Sequence, residues 1–473
     1  MGGRMKTNTK PIDSRLDATA RLAGGFGMKA AKQTPEQLLR RVILANLLWE
    51  DVAYSTGPAI VDQIKTLVPQ IPPETVAGLA IEARLEQKLR HAPLLLVREM
   101  ARQPEGGYRE LVGDLLPQII QRPDELTEFL ALYWRDGRCP LAKQVKKGLA
   151  QAFRRFDAYQ LAKWNRPEQI KLRDVMFLVR PKPQDDAQAA LWKQLAENVL
   201  PTPDTWEVAL SAGQDKRATF ERLIQERKLG ALAFLRNLRG MIEAKVADDV
   251  ILHGFQTINP QWILPVNGLA AARHAPRFTG EIEALLLRGL AKTPKLPGRT
   301  ILIVDVSGSM GSRISGKSEM TRLDVAGALA FLARELCERV VIYATAGNDG
   351  TRIHQTELLP NLRGFGLANA VTAAAKRLGG GGIFTRQCLE FIHKREAAPE
   401  RIIVFSDSQD CDAKNRTPSP FGQCNYLIDV SAHQRGVAYE GLWTAEISGW
   451  SERVVSFIAA SEGLAVEVEE ANA

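Results

Sequence analysis

The sequence predicts two parts, an all-helical array followed by a doubly wound α/β domain. Three observations predict it. Apolar residues keep helical spacing almost without interruption from about residue 34 to about 290. Beyond about residue 300, short apolar runs alternate with helical stretches. The chain has 473 residues, whereas a single core rarely grows past about 250–300.

The helical reading rests on apolar positions recurring at three and four, as in Leu38, Leu39, Val42, Ile43, Leu47 and Leu48. Punctuation comes from PQIPPE at 69–74, RQPEGG at 102–107, QRPDE at 121–125 and RPKPQDD at 180–186. Proline is tolerated in a first helical turn and excluded from helix interiors, so these clusters read as turns between short helices. An α-solenoid-like stack is expected, although no fixed repeat period is visible. KTPKLPGRT at 292–300 reads as a linker, dividing residues 1–296 from 297–473. ILIVDV (301–306) reads as a buried parallel strand. After it come a helix over 324–340, a strand VVIYAT (340–345), a helix around 367–378, and strands RIIVFSD (401–407) and YEGLWTAEI (439–447).

Charge separates the two parts. Residues 1–300 carry 45 basic and 33 acidic side chains, and residues 301–473 carry 17 and 21. A polyanion-binding surface is therefore expected on the helical part. Its densest stretch, 135–182, holds Arg135, Arg138, Lys143, Lys146, Lys147, Arg154, Arg155, Lys163, Arg166, Lys171, Arg173, Arg180 and Lys182 against four acidic residues. Tyr133, Trp134, Phe153, Phe156, Tyr159 and Trp164 are interleaved, with Trp134, Phe153 and Phe156 read as core. Basic side chains release counterions from phosphates and aromatic faces stack on unpaired bases, so the stretch reads as an RNA surface. Five cysteines without a C-x-x-C pair argue against a disulfide framework or zinc ribbon. No signal peptide or membrane span is visible, and a soluble cytoplasmic protein is expected. The six histidines show no metal-ligand spacing, and nothing suggests a hydrolytic triad or carboxylate pair. An enzyme is not expected.

The sharpest motif is Asp305-Val306-Ser307-Gly308-Ser309 at the end of ILIVDV. Two hydroxyls and a carboxylate on one turn supply part of the oxygen shell that Mg²⁺ or a similar hard cation prefers. Asp407 ends RIIVFSD, and Thr385 follows the glycine run 379–382. The set resembles the metal-ion-dependent adhesion site of von Willebrand factor A domains. That resemblance implies Ser307, Ser309 and Thr385 as hydroxyl ligands, with Asp305 and Asp407 acting directly or through water. The usual Gly-Gly-Thr-Asp is interrupted by Ile383 and Phe384, and Arg386 follows Thr385. A turn that binds no metal is the alternative. A second signature overlaps it, since residues 311–318 (GSRISGKS) satisfy G-x-x-x-x-G-K-[ST]. In a P-loop the glycine turn leaves the strand directly and the helix starts at the lysine. Here Ser307 to Met310 intervene, which makes a P-loop ATPase the weaker reading.

Residues 141–183, TWEVALSAG (205–213), ALAFLRNLRGM (231–241) and TILIVDVSGSM (300–310) look like the TROVE-domain family, to which the Ro ribonucleoproteins belong. The resemblance implies a ring of HEAT-type helical repeats next to a von Willebrand domain. It also implies a monomer that binds Y-like RNA on the basic outer face and the 3′ ends of misfolded non-coding RNA in the central hole, working in RNA quality control. An exoribonuclease or other RNA-processing protein is an implied partner. The family's Y RNA-binding basic pair falls on Lys163 and, one position away, Arg166, with Pro167 at the second basic position. The family's histidine before the Lys-Pro turn falls on Arg180. Lys143, Lys146, Lys147, Arg173 and Lys182 complete the expected RNA surface. A metal-dependent protein-interaction scaffold is the alternative function.

Overall fold

A computed structural model of the chain describes residues 34–44, 57–86, 89–166, 168–260, 263–314, 318–407, 410–412, 419–430, 442–448 and 454–464. Among the described residues, 34–291 form helices and turns and contain no strand. The predicted punctuation falls between helices. Pro73 opens the helix Pro73–Ile81 after PQIPPE. The helix His91–Arg102 ends before RQPEGG, where Gly106 and Gly107 take left-handed φ of 84° and 79°, a conformation that favours glycine. Pro123 opens Pro123–Tyr133, and the Glu125 carboxylate accepts from the Gln121 and Arg122 amides (2.7 and 3.1 Å). Arg180 closes Leu172–Val179, and Asp185 caps Asp186–Glu197 by accepting from the Gln188 amide at 2.7 Å. Each device satisfies helix-end groups that otherwise lack partners. Of the six apolar residues first cited for helical spacing, Leu39 and Ile43 are buried, and Leu47 and Leu48 lie outside the described residues.

The second part is a six-stranded sheet in the order β3-β2-β1-β4-β5-β6. The strands are β1 Leu296–Asp305, β2 Cys337–Asn348, β3 Ile353–Leu358, β4 Arg401–Ser406, β5 Cys424–Asp429 and β6 Ala445–Ser448. All pairings are parallel except β2–β3, which is antiparallel at an edge. This is the doubly wound domain the sequence predicts, with four corrections. β1 begins at Leu296, so it absorbs half of the expected linker. The helix expected over 324–340 is Arg322–Leu336, and the chain turns straight into β2 at Cys337. The β-branched pair Val340-Val341, where the expected strand began, lies inside β2, so the strand reaches three residues further back than expected. β3 and β5 were not anticipated.

The two parts share a core. Phe331 and Phe365 pack with Phe278, Ile282 and Leu285 of the helical part. Arg273, on the helix Pro265–His274, donates to Asp324 and approaches Met320 Sδ at 3.3 Å. Glu283 accepts from the Phe365 amide at 3.1 Å. No helix among the described residues is long and apolar enough to cross a membrane.

Candidate functional site

β1 lies in the middle of the sheet, with β2 on one side and β4 on the other, so chain order reverses between β1 and β4. Open α/β sheets bind ligands at the carboxyl ends of strands flanking such a reversal. Asp305 is the last residue of β1, and Asp407 directly follows β4. The Asp305 carboxylate is fully buried. One oxygen accepts from the Ser307 amide (2.8 Å) and the other from the Ser406 hydroxyl (2.6 Å). Burial pushes its pKa up to about 6, the donors at Ser406 and Ser307 oppose the shift, and the nearby Asp407 charge reinforces it.

The glycine run reaches this turn as expected. The Gly308 amide donates to the Gly381 carbonyl at 3.3 Å, and a β-carbon on Gly308 would lie 2.3 Å from the Gly380 carbonyl oxygen. Only glycine permits that approach. Thr385 opens the helix Thr385–His393, and its amide donates to Asp410 Oδ1 at 3.3 Å. Burial raises the Asp410 carboxyl, and the Asp412 amide and Thr385 oppose that shift.

The residues partly fit a divalent cation. Ser307 Oγ and Ser309 Oγ are 3.2 Å apart, close to the roughly 3 Å between neighbouring ligands of an octahedral Mg²⁺ bound at about 2.1 Å. Among the described residues, no group of three or more His, Cys, Asp and Glu side chains is placed to hold a metal, so the cradle relies on hydroxyls. Asp407 departs from the expectation. Its Oδ2 accepts from the Arg322 guanidinium at 2.6 Å, with both side chains largely buried. Arg386, the cation that the sequence placed beside Thr385, instead pairs with Glu390 one turn along its own helix. The cation at the site is therefore Arg322, 85 residues before Asp407, which no local pattern reveals. The P-loop-like stretch includes Ser315, Gly316 and Lys317, which lie outside the described residues.

The basic stretch 135–182 remains electrostatically open. Lys147 pairs with Asp114 at 2.8 Å. The other twelve of its thirteen basic side chains form no ion pair with a carboxylate among the described residues. Arg155 is engaged otherwise, donating to the Pro117 and Ile120 carbonyls at the end of the earlier helix Tyr108–Ile119. Phe153 and Phe156 are buried as expected, and the Trp134 indole N–H donates to the Cys139 carbonyl at 2.8 Å. Lys143, Lys146, Lys163, Arg166, Arg180 and Lys182 are exposed, and Arg173 is half-buried.

Lys163 and Arg166 belong to a compact cation–aromatic cluster at the end of the helix Ala158–Trp164, which Asp157 caps. Trp164 carries the Arg122 guanidinium 4.0 Å and the Arg166 guanidinium 4.8 Å from its ring centre. The Lys163 ammonium lies 5.9 Å from the same ring and 5.6 Å from that of Tyr159. Arg122 is itself held by Asp124 (3.0 Å). A ring already covered by cations organises charge rather than accepting a base. Arg122 was not anticipated, because it joins the cluster from the turn before another helix. Phe177 was also missed, and it is 60% exposed on the helix Leu172–Val179. That helix buries Leu172, Val175, Met176 and Val179, so Phe177 falls off the apolar stripe, a signal the sequence does contain.

The chain is thus a helical array joined to an α/β sheet, with a buried carboxylate turn at the end of β1 in one part and a basic stretch largely free of carboxylate ion pairs in the other. Residues 197–258 match the TROVE domain family, a span that contains TWEVALSAG and ALAFLRNLRGM but lies after the basic stretch. The fold matches the crystal structure of the Deinococcus radiodurans Ro (Rsr) protein with a TM-score of 0.65, 16% identity, and coverage of 91% of this chain and 100% of that one. Part of the helical region is therefore similar to the TROVE domain, and the chain shares the fold of that Ro protein. No curated protein matches.

Proposed function

We propose that this protein is a non-enzymatic, Ro-like RNA-binding protein, with domain limits of 1–296 and 297–473. Its basic helical surface, centred on Lys163 and Arg166 and extended by Lys143, Lys146, Lys147, Arg173, Arg180 and Lys182, holds structured, Y-like RNA. The helical ring receives single-stranded ends of misfolded non-coding RNA, as an RNA quality-control factor in the cytoplasm would require. The observation that carries this reading is the basic surface itself. Twelve cationic side chains in one stretch lack carboxylate partners among the described residues, and such a surface attracts a polyanion. The likeness to Ro supports it through the fold. Filter binding of a stem-loop RNA across a salt series tests it, with a steep fall of affinity as salt rises expected. A flat response would remove the phosphate-dominated interface.

The α/β part, in the same reading, is a docking platform on which the Ser307, Ser309 and Thr385 hydroxyls would hold Mg²⁺. Asp305 and Asp407 would act directly or through water, although Asp407 is already paired with Arg322. A bound cation would supply a Lewis-acidic position for a carboxylate of an RNA-processing partner such as an exoribonuclease. Ser307 and Ser309 would hold the ion, and the Asp305 carboxylate fixes the turn by accepting from the Ser307 amide. The closeness of the two serine hydroxyls favours this second role.

A further inference from the structure

We propose that Phe177 is a base-stacking platform, on which an unpaired nucleobase of bound RNA lies while Arg173, Arg180 and Lys182 hold the flanking phosphates. The inference rests on the RNA-binding reading above and adds a contact to it. Phe177 is 60% exposed on a helix whose other large apolar side chains are buried or half-buried. Among the described residues, no second ring and no cation stacks on it. In this it contrasts with Trp164, whose ring is already covered by Arg122 and Arg166.

Helix geometry sets the charges around it. Residues three and four apart share a face, which puts Arg173 one turn before Phe177 and Arg180 one turn after. Arg180 closes the helix in the left-handed region, at φ 50°, and Lys182 follows two residues later, exposed. Asp174 is the acidic residue on this face. Its carboxylate accepts from the Lys171 amide at 2.9 Å, where the helix N-terminus already uses its charge. An aromatic ring set singly among cations is unlike the core of a protein–protein contact, which is depleted in charge. It matches the pairing of stacking ring and phosphate-binding cations by which single-stranded nucleic acid is held.

The test uses the full chain with the variants Phe177→Ala, Phe177→Leu and Phe177→Tyr. Two labelled probes are compared by fluorescence anisotropy, a stem-loop RNA with a single-stranded extension and a blunt duplex of the same stem. Phe177→Ala is expected to weaken the extended probe about tenfold, the effect of one lost stacked base, and to leave the duplex unchanged. Phe177→Tyr should restore binding, whereas Phe177→Leu should not. The salt dependence should be the same in all four proteins, because no phosphate contact is removed. Short-wave ultraviolet irradiation should crosslink the extended probe to the peptide containing residue 177.

Full rescue by leucine, or an unchanged affinity in Phe177→Ala, overturns the stacking role. If Lys163→Ala still weakens the same probe, the RNA reading itself stands. Wild-type protein that binds neither probe overturns both. Self-association of the wild-type chain that Phe177→Ala abolishes would assign the ring to a contact between copies and overturn the inference.

Discussion

Replacing both Lys163 and Arg166 with alanine tests the basic surface most directly. Both side chains are exposed and make no ion pair with a carboxylate among the described residues. Each charge is therefore available to neutralise one phosphate. A duplex phosphate contact releases about 0.9 counterion, which at roughly 0.15 M salt is worth about 1 kcal/mol. Losing two such contacts costs about 2 kcal/mol, or roughly thirtyfold in Kd. The slope of log K against log salt should shrink by about 1.8. Filter binding of a stem-loop RNA over a salt series measures both quantities, and a thermal melt checks that the variant is folded. Removing Arg166 leaves Arg122 on Trp164, so little change in stability is expected. A short single strand held elsewhere should lose much less. Equal losses for both RNAs would refute the idea of two separate surfaces, and an unchanged slope would refute the assignment of these side chains to phosphates.

Magnesium at about a hundred times its Kd should stabilise the wild-type chain by about 2.7 kcal/mol, seen as a higher Tm, and Ser307→Ala with Ser309→Ala should abolish that shift. Arg322→Gln should lower the metal-free Tm, because Asp407 loses a buried ionic partner, yet enlarge the shift with Mg²⁺ if guanidinium and metal compete for that carboxylate. Gly308→Ala should destabilise the chain by about 1–3 kcal/mol, since its β-carbon would meet the Gly380 carbonyl; a wild-type melting curve would mean that the glycine loop yields freely. Glu128 provides a pH test. Burial raises its carboxyl from 4.5 to about 7, and Asp124 and Glu125 add to the shift against the attraction of Arg90 and Arg122. His91 also faces it, at 3.7 Å. A raised carboxyl holds its proton more tightly in the folded state, so stability should fall as pH rises from about 4.5 to about 7, by at most about 3 kcal/mol. Glu128→Gln should flatten that part of the Tm–pH curve, and an unchanged slope would assign it to other groups.

Much of this protein is legible along the chain because the forces involved are local. Proline and glycine clusters favour helix ends, and all four punctuating clusters fall at helix junctions, although the single Pro117 is accommodated inside Tyr108–Ile119. Asp305 and Asp407 can be found from the sequence because each ends an apolar run, and a buried parallel strand in an open sheet delivers its last residue to the ligand-binding edge. The limits are equally physical. β3 is a polar edge strand, IHQTEL, and carries no apolar run to announce it. In ELCERVV, helix and strand propensities compete, and pairing with β1 settles Cys337 as strand.

The sequence by itself determined the order of helical array and doubly wound sheet, the basic stretch 135–182, and the hydroxyl–carboxylate turn after β1. Spacing, strand ends and net charge are carried by neighbouring residues. Only the tertiary structure decided that Arg322 reaches Asp407, that Arg122 covers Trp164, that Arg386 pairs with Glu390, and that Phe177 stays bare. Those outcomes depend on which elements pack together, and a side chain's partner across 42 or 85 residues is fixed by the packing of whole elements.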